Sequence, residues 1–240
     1  MTHRFVYIAA TALLAGACHV GGHAEDRDAG PQASRNYQVG AFDRISVAGP
    51  YEVNVVSGGA PGVSATGGAN LLDETEVLVE GGTLKIQPKK HDGIHLNWHN
   101  GKAVFTVNAA AIHGASIAGS GGMNVDRVAG DFEGDVAGSG DLKLASVTGG
   151  KVKLSIAGSG GVDAAGKADS VDLSIAGSGD IRAGGLASRT ADVSIAGSGN
   201  VAANASESAD VSIMGSGDVQ VTGGAKCKVS KAGSGNVRCG

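Results

Sequence analysis

From about residue 114 to the end of the chain, apolar and polar positions alternate in short runs, and the runs recur. One apolar column reads Ile117, Val136, Ile156, Ile175, Ile195 and Ile213, with Lys231 in the final copy. Another, two residues earlier, reads Ala115, Gly134, Leu154, Leu173, Val193, Val211 and Val229. Between them runs a polar column of Ser116, Asp135, Ser155, Ser174, Ser194, Ser212 and Ser230. Alternation with period two predicts a half-buried β-strand. A second strand follows in each copy, with Met123, Leu142, Val162, Ile181, Val201, Val219 and Val237 facing in and Asn124, Lys143, Asp163, Arg182, Ala202, Gln220 and Arg238 facing out.

The two strands of each copy are joined by the tetrad Gly-Ser-Gly-(Asp/Asn/Gly), whose serines are Ser120, Ser139, Ser159, Ser178, Ser198, Ser216 and Ser234, 18 to 20 residues apart. A unit this short cannot bury its own apolar face, so neighbouring units must stack. The glycines suit a tight corner where φ is positive and backbones approach closely. The pattern predicts an all-β fold, a right-handed parallel β-helix of about seven coils with a serine ladder along one corner. A less regular second corner falls at Gly149-Gly150, Ala165-Gly166, Gly184-Gly185, Asn204-Ala205 and Gly223-Gly224, and residues beyond it have room for a third strand. An antiparallel roll stays open, because Gly-Ser alone does not exclude hairpin turns. Helix is disfavoured, since glycine supplies 42 of 240 residues and apolar positions do not repeat at 3.6.

Composition narrows the picture. An aromatic content of 3% leaves Val, Ile, Leu and Ala ladders to fill one elongated domain over residues 37–240, with the regular repeats from about 114. A net charge of −4, without a Lys/Arg block, argues against a nucleic-acid partner.

Residues 1–17 have the form of a signal peptide: Arg4 supplies a positive start, Phe5 to Ala17 is apolar, and Leu14-Ala15-Gly16-Ala17-Cys18 resembles a bacterial lipobox. In that reading Cys18 is lipidated and anchors the protein to a membrane. Simple cleavage after Ala17 or Ala24 is the alternative, since Ala15 stands where Leu is usual. The protein is then exported to the periplasm, outer membrane or cell surface. Residues 18–36 read as a flexible tether, because Glu25 to Asn36 carry almost nothing apolar.

Setting Cys18 aside, Cys227 and Cys239 remain as a pair in the last coil. Both fall in inward columns. A disulfide there would cap the open end of the solenoid, with two buried free thiols as the alternative.

The stretch from Tyr37 to Ala111 is less regular but strand-like over Phe42–Gly49, Tyr51–Val56, Glu76–Val79 and Leu84–Gln87. The run Phe42-Asp43-x-Ile45-x-Val47-x-Gly49, then Leu71-Leu72, Gly82-x-Leu84-x-Ile86 and the repeated Ser-Ile-Ala-Gly-Ser-Gly-Asp, resembles the putative autotransporter adhesin head GIN domain family over about residues 40–240. The resemblance implies a right-handed β-helical envelope protein and brings no catalytic residues with it.

Several constellations invite chemistry. His91, His95 and His99 stand four apart, which on a helix would give a metal face. Gly93 and Asn100-Gly101 instead predict a hairpin from Ile94–His99 to Lys102–Val107, leaving His95 and His99 as weak metal candidates on one strand face. The tetrad's fourth position reads Gly122, Asp141, Gly161, Asp180, Asn200, Asp218 and Asn236. No two adjacent coils both carry Asp there, so like-charge repulsion is avoided without calcium, and the column reads as a turn ladder. The corner serines are not on a strand-to-helix elbow and no repeat after His113 holds a histidine, so a nucleophile is not implied. Pectin-cleaving β-helices need a groove of clustered Asp, Arg or Lys, whereas charges here read as scattered. No cofactor is implied.

Two classes of function fit. One is a non-enzymatic structural or adhesive module presenting a Ser/Asp/Asn-rich surface to a protein or glycan. The other is a polysaccharide-binding or carbohydrate-active β-helix protein, which needs a groove that the repeats lack insertions to build. An ice-binding surface would want flat Thr rows.

Overall fold

The computed structural model describes residues 25–89, 96–99 and 102–240. Before the repeats the chain forms β1 (Glu25–Asp28), β2 (Gln32–Tyr37), β3 (Arg44–Ala48), β4 (Glu52–Ser57), β5 (Gly62–Gly68), α1 (Ala69–Asp73), β6 (Thr75–Glu80), β7 (Thr83–Pro88), β8 (Leu96–His99) and β9 (Val104–Ala109). The repeats begin with β10 (Gly114–Gly119), β11 (Gly122–Val125), β12 (Val128–Ala129), β13 (Phe132–Gly138), β14 (Asp141–Thr148), β15 (Lys151–Gly158) and β16 (Gly161–Lys167). They continue through β17 (Ser170–Gly177), β18 (Asp180–Gly197), β19 (Asn200–Gly215), β20 (Val219–Thr222), β21 (Lys226–Gly233) and β22 (Val237–Cys239).

Parallel stacking in register makes a β-solenoid. β10, β13, β15, β17, the later halves of β18 and β19, and β21 form one ladder, in which Ile117, Val136, Ile156, Ile175, Ile195 and Ile213 lie one above another. β11, β14, β16, the early parts of β18 and β19, β20 and β22 form the second. The isoleucine column is no more than 2% exposed, and full burial of one such side chain contributes roughly 1.5–3 kcal/mol. A third, shorter ladder completes the coil: Val128-Ala129 pairs Val147-Thr148, which pairs Gly166-Lys167, which pairs Leu186-Ala187. The chain enters it through register shifts between Leu144 and Val147 and between Asp163 and Ala165.

Two more rungs come from the N-terminal part. β3 stacks on β10, with Ile45 on Ala115 and Val47 on Ile117, and β4 stacks on β11, with Val53 on Met123. Gly49-Pro50-Tyr51 therefore occupies the place of Gly-Ser-Gly, and Gly49 takes φ +125° like the corner glycines above it. β7 and β9 form the rung beyond, on the other side of β3 and β4. The chain thus leaves its second rung, builds the end rung, and returns past both to start β10.

That end is covered by antiparallel strands: β6 pairs β7, β5 pairs β9, and β2 pairs β5. α1, the one short helix among the described residues, buries Leu71 and Leu72 beneath it. Residues 32–36, expected in a flexible tether, lie instead in β2, where main-chain pairing to β5 and the packing of Ala33 and Tyr37 on the core order the segment. The expected hairpin between 94–99 and 102–107 does not form. β8 pairs in parallel with β1, and both edges of β9 are taken by β4 and β5.

At the far end the pair Cys227 and Cys239 is bonded, with Cα atoms 6.5 Å apart. Their columns point inward as expected, yet with no further coil above them Cys239 is exposed and Cys227 only part-buried.

Candidate functional surface

Outward side chains of successive coils stand in columns about 4.8 Å apart, so one substitution changes one tooth of a comb. At the glycine-serine corner, the backbone N–H of each serine from Ser139 to Ser234 donates to a glycine carbonyl one coil earlier, at 2.8 to 3.0 Å. The serine side chains themselves are exposed along the whole ladder.

The first ladder carries an outward charge column that runs Arg44, Gly114, Glu133, Lys153, Asp172, Asp192, Asp210, Lys228. Gly114 has no side chain to block Arg44, whose Nη1 reaches Glu133 at 3.4 Å, while Lys153 Nζ reaches the same carboxylate at 3.0 Å. The Lys153 hydrogen bond and charge hold the Glu133 carboxyl below its usual range. Above it three aspartates stand on consecutive rungs. This run lies outside the tetrad column and shows only when the coils are aligned on their first strands. Among the described residues no group of three His, Cys, Asp or Glu side chains converges to hold a metal. Of the weak metal candidates, His99 ends β8 and His95 lies outside the described residues.

On the second ladder the tetrad's fourth position carries hydrogen bonds from coil to coil. Asn200 Nδ2 donates to Asp180 Oδ1 at 3.0 Å, and Asn236 Nδ2 donates to Asp218 Oδ1 at 3.1 Å. Backbone N–H groups of Asn200, Asp218 and Asn236 bond the side-chain oxygen one coil earlier, at 3.2, 3.2 and 2.8 Å. Two residues along each strand stands the column Asp163, Arg182, Ala202, Gln220, Arg238. Arg182 Nε is 2.8 Å from Asp163 and its Nη1 is 3.5 Å from Asp180, and these carboxylates raise the guanidinium's pKa further. Between the two columns lies an open groove of about 440 Å³, with Ala202 and the strand backbone at Val201 on its floor. The groove forms without the insertions that the repeats lack. The short side chain of Ala202 between long neighbours is the signal that could have revealed it.

Solved structures share this architecture. A protein described as a lipid binding protein from Parabacteroides distasonis is 26% identical, with a TM-score of 0.74 over 90% of this chain and 99% of its own. An adhesin-described protein from Bacteroides fragilis is 23% identical, with a TM-score of 0.77 over 89% of this chain and 99% of its own. No curated protein matches. The model of the family described as "Putative auto-transporter adhesin, head GIN domain" matches residues 41–225, and the chain belongs to that family.

Proposed function

We propose that this protein is an exported, non-enzymatic binding module of the bacterial envelope, which displays its repeated polar columns to a protein or glycan. The observation that carries the reading is the regularity of the outward face: Ser, Asp and Asn side chains held at fixed spacing by a stacked backbone, with Asp180, Asn200, Asp218 and Asn236 further pinned to one another. A surface already ordered loses little freedom when a partner docks. Family membership supports an adhesin-like role at an exported or surface location. Attachment through a lipidated Cys18 completes the proposal.

Binding of purified exported protein to an array of matrix proteins and glycans tests the adhesive part, and silence across that array would overturn it. For the anchor, Cys18→Ser is expected to shift the protein from the membrane fraction to a soluble one, because an acyl chain contributes about 0.8 kcal/mol per buried CH₂. A wild-type protein that is already soluble would exclude the anchor.

A further inference from the structure

We infer that the groove beside Ala202 is a carbohydrate-binding site, an inference that rests on the binding-module reading and assigns that module a ligand class. One wall is the ladder Asp180, Asn200, Asp218, Asn236; the other is Arg182, Gln220 and Arg238, interrupted by Ala202. The ladder's hydrogen bonds use the Oδ1 atoms of Asp180 and Asp218 and so fix both side chains. Oδ2 of Asp218, the Gln220 amide and the Arg238 guanidinium make no hydrogen bond or ion pair among the described residues. Arg182 is drawn back toward Asp163 and Asp180, away from Ala202, and this opens the groove at its middle rung.

The mixture of groups selects the ligand class. Vicinal hydroxyls each donate and accept, so a carboxylate oxygen, a primary amide and a guanidinium set around a shallow floor can bind them together. A lipid chain would bury these polar groups without partners. A phosphate would face the carboxylates of Asp180 and Asp218, and a metal ion would face two arginines. An oligosaccharide segment meets neither conflict, and the preset walls limit the ordering lost on binding.

The test uses the purified exported protein on one array that carries neutral and uronic-acid oligosaccharides together with matrix proteins. Ala202→Arg fills the groove from an outward position, and Gln220→Ala removes one wall contact without adding bulk; Asp192→Asn, on the other ladder, serves as the control. Retention of an oligosaccharide by the wild type and by Asp192→Asn, weakened at least about tenfold in both groove variants with unchanged thermal melts, is the expected result. Oligosaccharide binding indifferent to both groove variants overturns the site and leaves the binding module standing. Binding to matrix proteins alone does the same. Binding to neither class overturns the site and the module together.

Discussion

Every corner glycine of the repeats after Gly119 stands where a β-carbon has no room, whereas the serine between the two stands in solvent. At Gly177 the backbone takes φ +135°, and a β-carbon would meet the Gly158 carbonyl of the coil below. At Gly179 an added methyl would lie 2.8 Å from Ile156 Cγ2 and closer still to the Gly160 carbonyl. Gly177→Ala should therefore cost about 2–3 kcal/mol in urea denaturation, and Ser178→Ala less than about 0.5 kcal/mol. Equal midpoints for the two would contradict the corner geometry. Where the corner is built differently, in the second rung, Tyr51 follows Pro50 and turns inward. It is 2% exposed, edge-on to Phe105 at 5.4 Å, with its oxygen 3.1 Å from Thr75 Oγ1. Burial raises the Tyr51 pKa above its ordinary value of 10.0. The sign follows from the direction: the neutral phenol's contribution is complete below the unfolded value and is lost as pH rises through the higher folded one. Stability should fall above pH about 10 in the wild type. Tyr51→Phe, about 1 kcal/mol weaker at neutral pH for want of the hydrogen bond, should lose less over that alkaline range. An identical alkaline fall in both proteins would assign the effect elsewhere.

At the scale of the element, the ladder converts a repeated residue into a stack, for better or worse. The Ile column gains continuous packing, while Asp172, Asp192 and Asp210 place like charges on neighbouring rungs. Lysines limit the repulsion at either end: Lys153 pairs below Asp172 and Lys228 above Asp210. Asp192→Asn should accordingly raise stability by about 0.2–1 kcal/mol, a gain that shrinks in molar salt as screening does the same job. A loss at low salt would mean that the central carboxylate is favourably partnered. What was legible in the sequence divides along the same line. The two main strands, their inward faces and the corner serines were legible, because each coil repeats its neighbour's chemistry at nearly constant spacing. The second rung was not counted among the coils, since Gly49-Pro50-Tyr51 spells the corner differently. Its position between β7–β9 and β10–β11 reverses chain order, which only tertiary stacking decides. β2 escaped notice for another reason. Its order comes from main-chain bonds to β5, and these leave little trace in a polar sequence such as Gln32–Tyr37. The groove depends on one small residue among long ones, visible only after columns on adjacent coils are aligned.

The molecule as a whole is an asymmetric rod with one covered end and one stapled end. Antiparallel β6, β5 and β2 and the buried Leu71 and Leu72 close the first. At the second, β21 and β22 are the last rungs; Val229 is 46% exposed, and Lys231 replaces the column isoleucine. Lys226, Lys228 and Lys231 along that edge strand discourage pairing with another chain, a charge device common on exposed strands. Lys231 Nζ also donates to the Gly235 carbonyl at 2.8 Å, tying the final corner. What remains to resist fraying is the disulfide, which closes a loop with a sequence separation of 12 residues. Chain entropy assigns such a loop at most about 3 kcal/mol. Coils stabilise mainly their neighbours, so loss of the staple should act locally and decay inward. Replacing Cys227 and Cys239 by Ser together should speed hydrogen exchange over residues 218–240, while the coils around Ser159 and the covered end keep their protection. Uniform loss of protection along the rod would show that the ladders unfold as one unit. No change at the end would show that lysine capping and stacking on β19 and β20 already hold the last coil without the sulfur bridge.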